Sequence, residues 1–277
     1  MISRSWMTIA GSFCIASAAA AWLVSTPAVA GDGTDRRSDP DLQKVELFQA
    51  MEDGQIEVKF VAKNERQANV LITNKTKQPL SVQLPQAFAG VPTHILAQVG
   101  GVGGLGGDIG GNDRGDDNGS QAMGGGMGMM GGMGGMGGGG MGMGGGMFNV
   151  APDRTGKIEV ACVCLEHGKP NPRITIDYTI VPAEKFVKRP EVIELLKAFG
   201  TGKLNHAAAQ AAVWHLNNDR SWQQLALERN RRIVGPDTPF FTPQQLRGGM
   251  MLAAAARREV QAQQQRESGK ENSLSAQ

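Results

Sequence analysis

Two cysteines are the residues of this chain whose type and spacing could do covalent chemistry. Cys162 and Cys164 lie two residues apart in a strand-like apolar run, so their side chains should face the same side of a sheet. A disulfide between them would close a very small, strained ring and is not expected. One reading is that both are small apolar core residues, as free cysteines usually are. The other is that Cys164, which adjoins a polar turn, acts as a nucleophile.

Gln210 is the polar residue that these cysteines could meet. On a helix predicted over residues 203–216 it shares a face with His206, Val213 and Trp214. The helix is rich in alanine and should pack closely, so the glutamine amide should be buried and needs a partner. The expected partner is a backbone group of the neighbouring sheet. We predict a sheet–helix contact formed by Cys162, Cys164, Tyr178, Gln210, Val213 and Trp214.

The same segment resembles a known family over about residues 161–216. Cys164-Leu165, a proline-containing turn and the strand with Tyr178 precede Gln210-Ala211-Ala212-Val213-Trp214. This arrangement is similar to the Cys–Gln thioester-forming domains of bacterial surface proteins, whose motif is Thr-Gln-x-Ala-Ile/Val-Trp; here Ala209 takes the threonine position. The resemblance implies a Cys164–Gln210 thioester that acylates an amine on a partner. More loosely, the segment resembles exported bacterial proteins with a Cys-Leu-Glu-His-Gly-Lys-Pro turn, which implies a shared fold unit only.

A methionine-rich segment offers a different chemistry. Nine methionines lie between Met123 and Met147, in a sequence dominated by glycine. Thioethers are soft ligands that suit Cu(I); the alternative is a Gly-rich linker in which methionine is a tolerated filler. Apart from copper, no cofactor is expected. The candidate copper ligands are Met127, Met129, Met130, Met133, Met136, Met141 and Met143.

Other function classes find no support in the sequence. The four histidines show no metal-ligand spacing, and there is no nucleophile elbow, phosphate loop or dinucleotide motif. We therefore expect no enzyme activity. The formal net charge of +2 argues against nucleic acid as the main partner, because binding phosphates needs a clustered basic excess. The expected partner is a protein or a surface of unknown identity.

The N-terminus predicts export. Arg4 precedes a long apolar region, and Pro27-Ala28-Val29-Ala30 provides small residues for cleavage, so residues 1–30 should be a signal peptide. No later stretch approaches the roughly 18 consecutive apolar residues of a transmembrane helix, so the mature chain should not span a membrane. We expect a periplasmic, cell-surface or extracellular protein.

The remaining pattern predicts an α+β fold. Residues 31–54 form a linker and a helix that starts near Asp39-Pro40 and ends at Gly54. Alternating apolar residues over 55–99 and 147–182 predict an antiparallel, sandwich-like β domain. The Gly/Met-rich residues 100–146 between them should form a long disordered insert, because they cannot bury enough surface to offset their ordering entropy.

Helical patterns follow the β domain. Residues 183–260 should form a small helical part that includes a helix over Pro190–Phe199. Ser221 and Thr242 each open a Ser/Thr-x-x-Gln capping box and should start further helices. Residues 261–277 should be a disordered tail. The function that we expect is that of an exported, non-enzymatic interaction or structural protein, with the thioester module and the Cu(I)-binding protein as alternatives.

Overall fold

The computed structural model of the chain describes residues 42–93, 95, 119–127 and 146–274, with side chains up to residue 270. These residues belong to one compact unit, Asp41–Gln277. The predicted signal peptide and its cleavage site near Ala30 lie outside the described residues. Among the helices that the structure describes, none has the length and apolar character needed to cross a membrane.

The described chain has most of its strands in the first part and most of its helices in the second. The strands are β1 Gln43–Glu46, β2 Ile56–Asn64, β3 Gln67–Asn74, β4 Leu80–Gln83, β5 Phe88–Pro92, β6 Met123–Gly125, β7 Met147–Val150, β8 Thr155–Cys164, β9 Tyr178–Pro182, β10 Arg229–Asn230 and β11 Thr238–Pro239. The helices are α1 Leu47–Glu52, α2 Ala183–Phe186, α3 Pro190–Phe199, α4 His206–Asn217, α5 Trp222–Leu227 and α6 Pro243–Leu274.

Six strands close into a barrel in the order β2-β3-β8-β6-β5-β9. Every pairing in the ring is antiparallel, and the pair Phe60–Tyr178 closes it between β2 and β9. The inward residues follow the period of two that the sequence shows; they include Phe60, Val70, Ile72, Ile158, Val160 and Cys162. The predicted α+β class with mostly antiparallel sheets is confirmed. The finer description as a sandwich is not confirmed, because the pairing closes these strands into a ring.

A second sheet corrects the prediction for the N-terminal segment. The predicted helix start at residues 39–41 lies outside the described residues, and Gln43–Glu46 is a strand that pairs parallel with β4, which also pairs with β7. Only Leu47–Glu52 is helical, and the Glu46 carboxylate caps it by accepting from the Gln49 N–H at 2.8 Å. Pairing with β4 satisfies the backbone of residues 43–46, and this tertiary contact overrides their helical pattern.

The strand β6 corrects the extent of the predicted disordered insert. It lies inside residues 100–146, yet residues 120–127 are buried and Met123–Gly125 fills the gap between β5 and β8. Glycine is required here by close packing. A Cβ on Gly124 would lie 2.7 Å from the Leu165 side chain, and one on Gly126 would lie 2.9 Å from the Gly200 Cα. The glycines of this stretch therefore form part of the core.

The C-terminal helices cover one side of the barrel. Helix α3 has the predicted bounds, and both predicted capping boxes are formed, at Ser221 and at Thr242. Residues of α3 and α4 pack with Val163 and Leu165 in one apolar cluster. The prediction of a disordered tail from residue 261 is wrong as far as Leu274, because α6 continues to that residue. Its exposed turns hold an ion pair between Arg266 and Glu259 at 2.7 Å.

Replacing Gly126 with alanine should destabilise the fold. The new methyl group would meet the Leu196 carbonyl oxygen and the Gly200 Cα, each at 2.9 Å, and backbone atoms cannot give way as a side chain can. We expect Gly126→Ala to lower the free energy of unfolding by about 2 kcal/mol or more, measured by urea denaturation. The matched control is Gly269→Ala, whose Cβ would meet no atom within 4 Å. Equal stability of the two variants would contradict the close packing of β6.

Candidate functional site

The candidate site lies where β8 extends beyond its neighbour β3. The last β3–β8 pair is Gln67–Ala161, after which the Cys162 N–H donates to the Arg66 carbonyl at 2.7 Å. On its other side, β8 pairs with β6 as far as Cys164. Beyond this point, the buried backbone groups of Cys162, Cys164 and Leu165 that no strand pairs need other partners.

Three polar side chains of α4 provide these partners. His206 Nε2 lies 2.7 Å from the Cys162 carbonyl oxygen, and Asn217 Nδ2 donates to the Leu165 carbonyl at 2.8 Å. Between them, Gln210 Oε1 accepts from the Cys164 N–H and Gln210 Nε2 donates to the Cys164 carbonyl, both at 2.8 Å. We call this set the edge contact: His206, Gln210 and Asn217 bonded to the backbone of Cys162, Cys164 and Leu165.

Gln210 acts in the edge contact as a substitute for a peptide group. Its amide has one donor and one acceptor in the fixed geometry of a backbone amide, and it pairs with both groups of Cys164 as an adjacent strand would. The residue is only 4 % exposed. Burying an amide without partners is costly, and here each end of the amide is satisfied. The structure thus joins Cys164 and Gln210, and the backbone is the group of Cys164 that the amide binds.

The other residues of the predicted sheet–helix contact divide between three places. Val213 packs in the cluster of α3, α4 and β8. Trp214 packs with Cys164 in a separate cluster that includes Leu225, Phe241 and Leu246. Tyr178 lies in the barrel core beside Phe60, with its hydroxyl 2.8 Å from Ser120 Oγ. The structure therefore corrects the prediction for Tyr178, which bonds across the barrel.

Both thiols are buried and held in their neutral form. Cys162 is fully buried in the barrel core, and Cys164 is 2 % exposed. Burial raises the pKa of Cys164 to about 12, with a smaller contribution from the negative charge of Glu65. Burial also raises the pKa of Cys162 above its ordinary range. Because the thiolate is the reactive form of cysteine, neither thiol is activated in this fold.

His206 and Asn217 are partners that the sequence analysis missed. The sequence pattern puts His206 on the face of Gln210 but predicts no partner for it, and it predicts no role for Asn217. A signal was present, because positions 206, 210 and 217 follow spacings of four and seven residues and share one face of a helix. Desolvation lowers the pKa of His206, while its bond to the Cys162 carbonyl opposes the shift. The neutral imidazole donates its Nε2–H to that carbonyl.

A second polar group fixes the turn that follows β8. Arg220 Nε donates to His167 Nδ1 at 3.1 Å, so the His167 proton is on Nε2 and is donated to Glu228 Oε1 at 2.8 Å. The His167 ring also lies edge-on to Trp214, with centroids 4.7 Å apart. This chain of bonds ties the turn to the segments that follow α4 and α5.

The copper prediction concerns residues that are mostly not described. Met127 is 1 % exposed and packs in the barrel core, so it is not available as a ligand in this fold. Among the described residues, no group of three or more His, Cys, Asp or Glu is placed to hold a metal ion. The remaining candidates lie outside the described residues, and copper binding by them stays a prediction: Met129, Met130, Met133, Met136, Met141 and Met143.

Replacing Gln210 with methionine should lower the free energy of unfolding, although the two side chains have similar shapes. Methionine fills a similar volume but leaves the Cys164 N–H and carbonyl buried without partners. Each unpaired group costs about 1–3 kcal/mol, so we expect a loss of roughly 2–6 kcal/mol in urea denaturation. The control is Gln261→Met at an exposed position of α6, which should change stability by less than about 0.5 kcal/mol. A Gln210→Met protein as stable as the control would contradict the edge contact.

His206 should make the fold sensitive to acid. A histidine with a lowered folded-state pKa stabilises the fold above its ordinary pKa of 6.5 and loses that contribution as the pH falls below it. The free energy of unfolding should therefore decrease between about pH 7 and pH 5. In His206→Gln, which keeps a donor but does not titrate, this decrease should be smaller. An equal decrease in both proteins would show that other groups cause the acid sensitivity.

No family model, no curated protein and no solved structure matches this chain. The resemblance to thioester-forming domains therefore stays a prediction from the residues that carry it.

Proposed function

We propose that this chain is an exported, non-enzymatic interaction or structural protein. The observation that carries the proposal is the edge contact, in which Gln210 binds the backbone of Cys164 through both ends of its amide. The residues that could do covalent chemistry are used here to hold α4 on the barrel. The partner is a protein or a surface, and the protein acts by binding it.

The state of the side chains around the edge contact supports this proposal. A nucleophilic cysteine needs a base or a positive charge nearby to form its thiolate. Cys164 Sγ donates to the Glu65 carbonyl oxygen at 3.7 Å, and the nearby charge of Glu65 is negative. His206, the imidazole of the edge contact, directs Nε2 to the Cys162 carbonyl. The arrangement favours packing over reaction.

The second candidate is the thioester module, and one observation favours it. Gln210 and Cys164 lie together in a buried place, and a thioester needs both residues there, shielded from water. The thiol sulfur would attack the Gln210 amide carbon, the carbon–nitrogen bond would break, and ammonia would leave with the thiol proton. Both amide hydrogen bonds to Cys164 would have to rearrange. The resulting thioester would acylate an amine on a partner surface.

Intact mass and thiol alkylation decide between the two candidates. The exported chain should have the mass of the polypeptide without residues 1–30 and with no loss of ammonia. After unfolding, both Cys162 and Cys164 should react with iodoacetamide. In the folded chain Cys164 should react at least about a hundredfold more slowly, because its raised pKa keeps the thiolate scarce.

Cys164→Ala provides the control, because its unfolded chain should take one alkyl group in place of two. A mass lower by one ammonia, which then rises by one methylamine as Cys164 is freed and Gln210 becomes an N-methylamide, would overturn the proposal and establish the thioester. Retention of residues 1–30 would instead contradict export with cleavage, and the mass reports this outcome separately.

A further inference from the structure

Exposed apolar side chains are concentrated in one segment of the described chain. Six of the seven large apolar side chains that are exposed in the described chain lie between residues 227 and 251, and the seventh is Ile174 on the turn before β9. Scattered exposed apolar residues are normal on a protein surface, but a concentration of them marks a contact site. The six are Leu227, Ile233, Val234, Phe240, Met250 and Met251.

The most exposed of them form the tip of a hairpin. Strands β10 and β11 pair antiparallel through Asn230 and Thr238, and Ile233 and Val234 lie in the connection, 104 % and 86 % exposed. Gly235 has a φ of +89°, which a glycine adopts without strain. We call residues 228–240 the arginine hairpin.

The arginine hairpin is held in place at its base. The Phe240 N–H donates to the Glu228 carbonyl at 2.9 Å, and the Glu228 side chain binds His167. Phe240 and Phe241 both lie against Trp214, with ring centroids 5.3 and 5.7 Å apart. The base therefore packs against Trp214 of the cluster around Cys164, while the side chains of Ile233 and Val234 at the tip are exposed.

The charges on the arginine hairpin are mostly positive. Arg229, Arg231 and Arg232 are exposed. Of the two acidic residues, Glu228 is bonded to His167, and Asp237 accepts from the Arg232 backbone N–H at 3.1 Å. The exposed Arg247 follows on the first turns of α6. An apolar tip on a basic stem thus faces the solvent.

We propose that the arginine hairpin docks the protein on an anionic phospholipid surface. Ile233 and Val234 enter the interface between head groups and acyl chains, and Arg229, Arg231 and Arg232 bind lipid phosphates. Interfacial binding becomes stable when an apolar element and a basic patch act together, and the hairpin carries both. The two side chains at the tip are aliphatic, and the stem adds positive charge. An anionic lipid surface matches this combination. This inference rests on the proposed function and names its partner.

Vesicle flotation with the processed chain tests the inference. One vesicle preparation is phosphatidylcholine alone, and the other contains phosphatidylglycerol as well. The chain should bind the anionic vesicles and leave the neutral ones largely unbound. Binding should weaken as salt is added, because salt screens the arginines.

Two hairpin variants separate the roles of tip and stem. Ile233→Ser/Val234→Ser should lower the partition onto anionic vesicles at least about tenfold through loss of the inserted side chains. Arg231→Gln/Arg232→Gln should lower it by roughly tenfold or more, since each arginine near the surface contributes about fivefold. The matched controls are Ile174→Ser and Arg154→Gln/Arg173→Gln, at exposed positions outside the hairpin sequence, and they should bind like the parent chain. Urea denaturation confirms that each variant is folded.

Three results would overturn the inference. The parent chain could fail to bind anionic vesicles, which assigns the hairpin to a protein partner. The tip variant could bind as well as the parent, which reduces the contact to charge attraction alone. The controls could lose binding as strongly as the hairpin variants, which makes the attraction a property of the whole surface. None of these three results contradicts the proposed function, because the mass and alkylation measurements test it separately.

Discussion

The end of β8 sets the constraint on which the rest of the structure depends. This strand runs past β3, so some of its buried backbone groups have no neighbouring strand to pair with. Without other partners, their desolvation would lower the stability of the fold. Gln210, flanked on its helix by His206 and Asn217, provides those partners. The orientation of α4 is therefore fixed by hydrogen bonds to successive residues at the end of the strand. Apolar contacts alone would allow the helix to slide or rotate, since they have no direction.

The edge contact also explains how the barrel and the helices act as one unit. Side chains of β8 alternate, so Cys162 points into the barrel while Val163 and Leu165 point to the helices. Cys164 lies at the end of the barrel and packs with Trp214. One strand thus contributes to three apolar clusters, and its backbone is bonded to α4. The chemically reactive groups are turned inward, and most of the large apolar side chains that are exposed in the described chain lie in the 227–251 segment.

Part of this arrangement could be predicted from the sequence. The flanking Val213 and Trp214 placed Gln210 in a buried position, and the cost of an unpaired amide predicted a backbone partner in the sheet. Local signals also located α3 and the two capping boxes, because proline and Ser/Thr-x-x-Gln act within one helical turn. These features depend on neighbours in sequence, which is why sequence reasoning found them.

The parts that were missed depend on contacts distant in sequence. Residues 43–46 carry a helical pattern and become a strand only because β4 is there to pair with them. The glycines of β6 resemble those of the neighbouring low-complexity sequence, and their packing role appears only when Leu165, Leu196 and Gly200 are in place. The six-stranded closure likewise follows from register, which short alternating strands do not specify by themselves.

The position of β6 has a consequence for how the length of this chain can change. Met123 pairs with Cys164, and Gly125 pairs with Cys162. Side chains alternate along a strand, so inserting or deleting one residue within 123–125 would turn the side chains that follow it to the opposite face. Met127 would leave the core, and a side chain would enter space that only glycine can occupy. The number of residues in this strand therefore cannot change freely, although its sequence looks like the repetitive sequence beside it. Each residue of 123–125 is fixed by its own neighbours in the barrel.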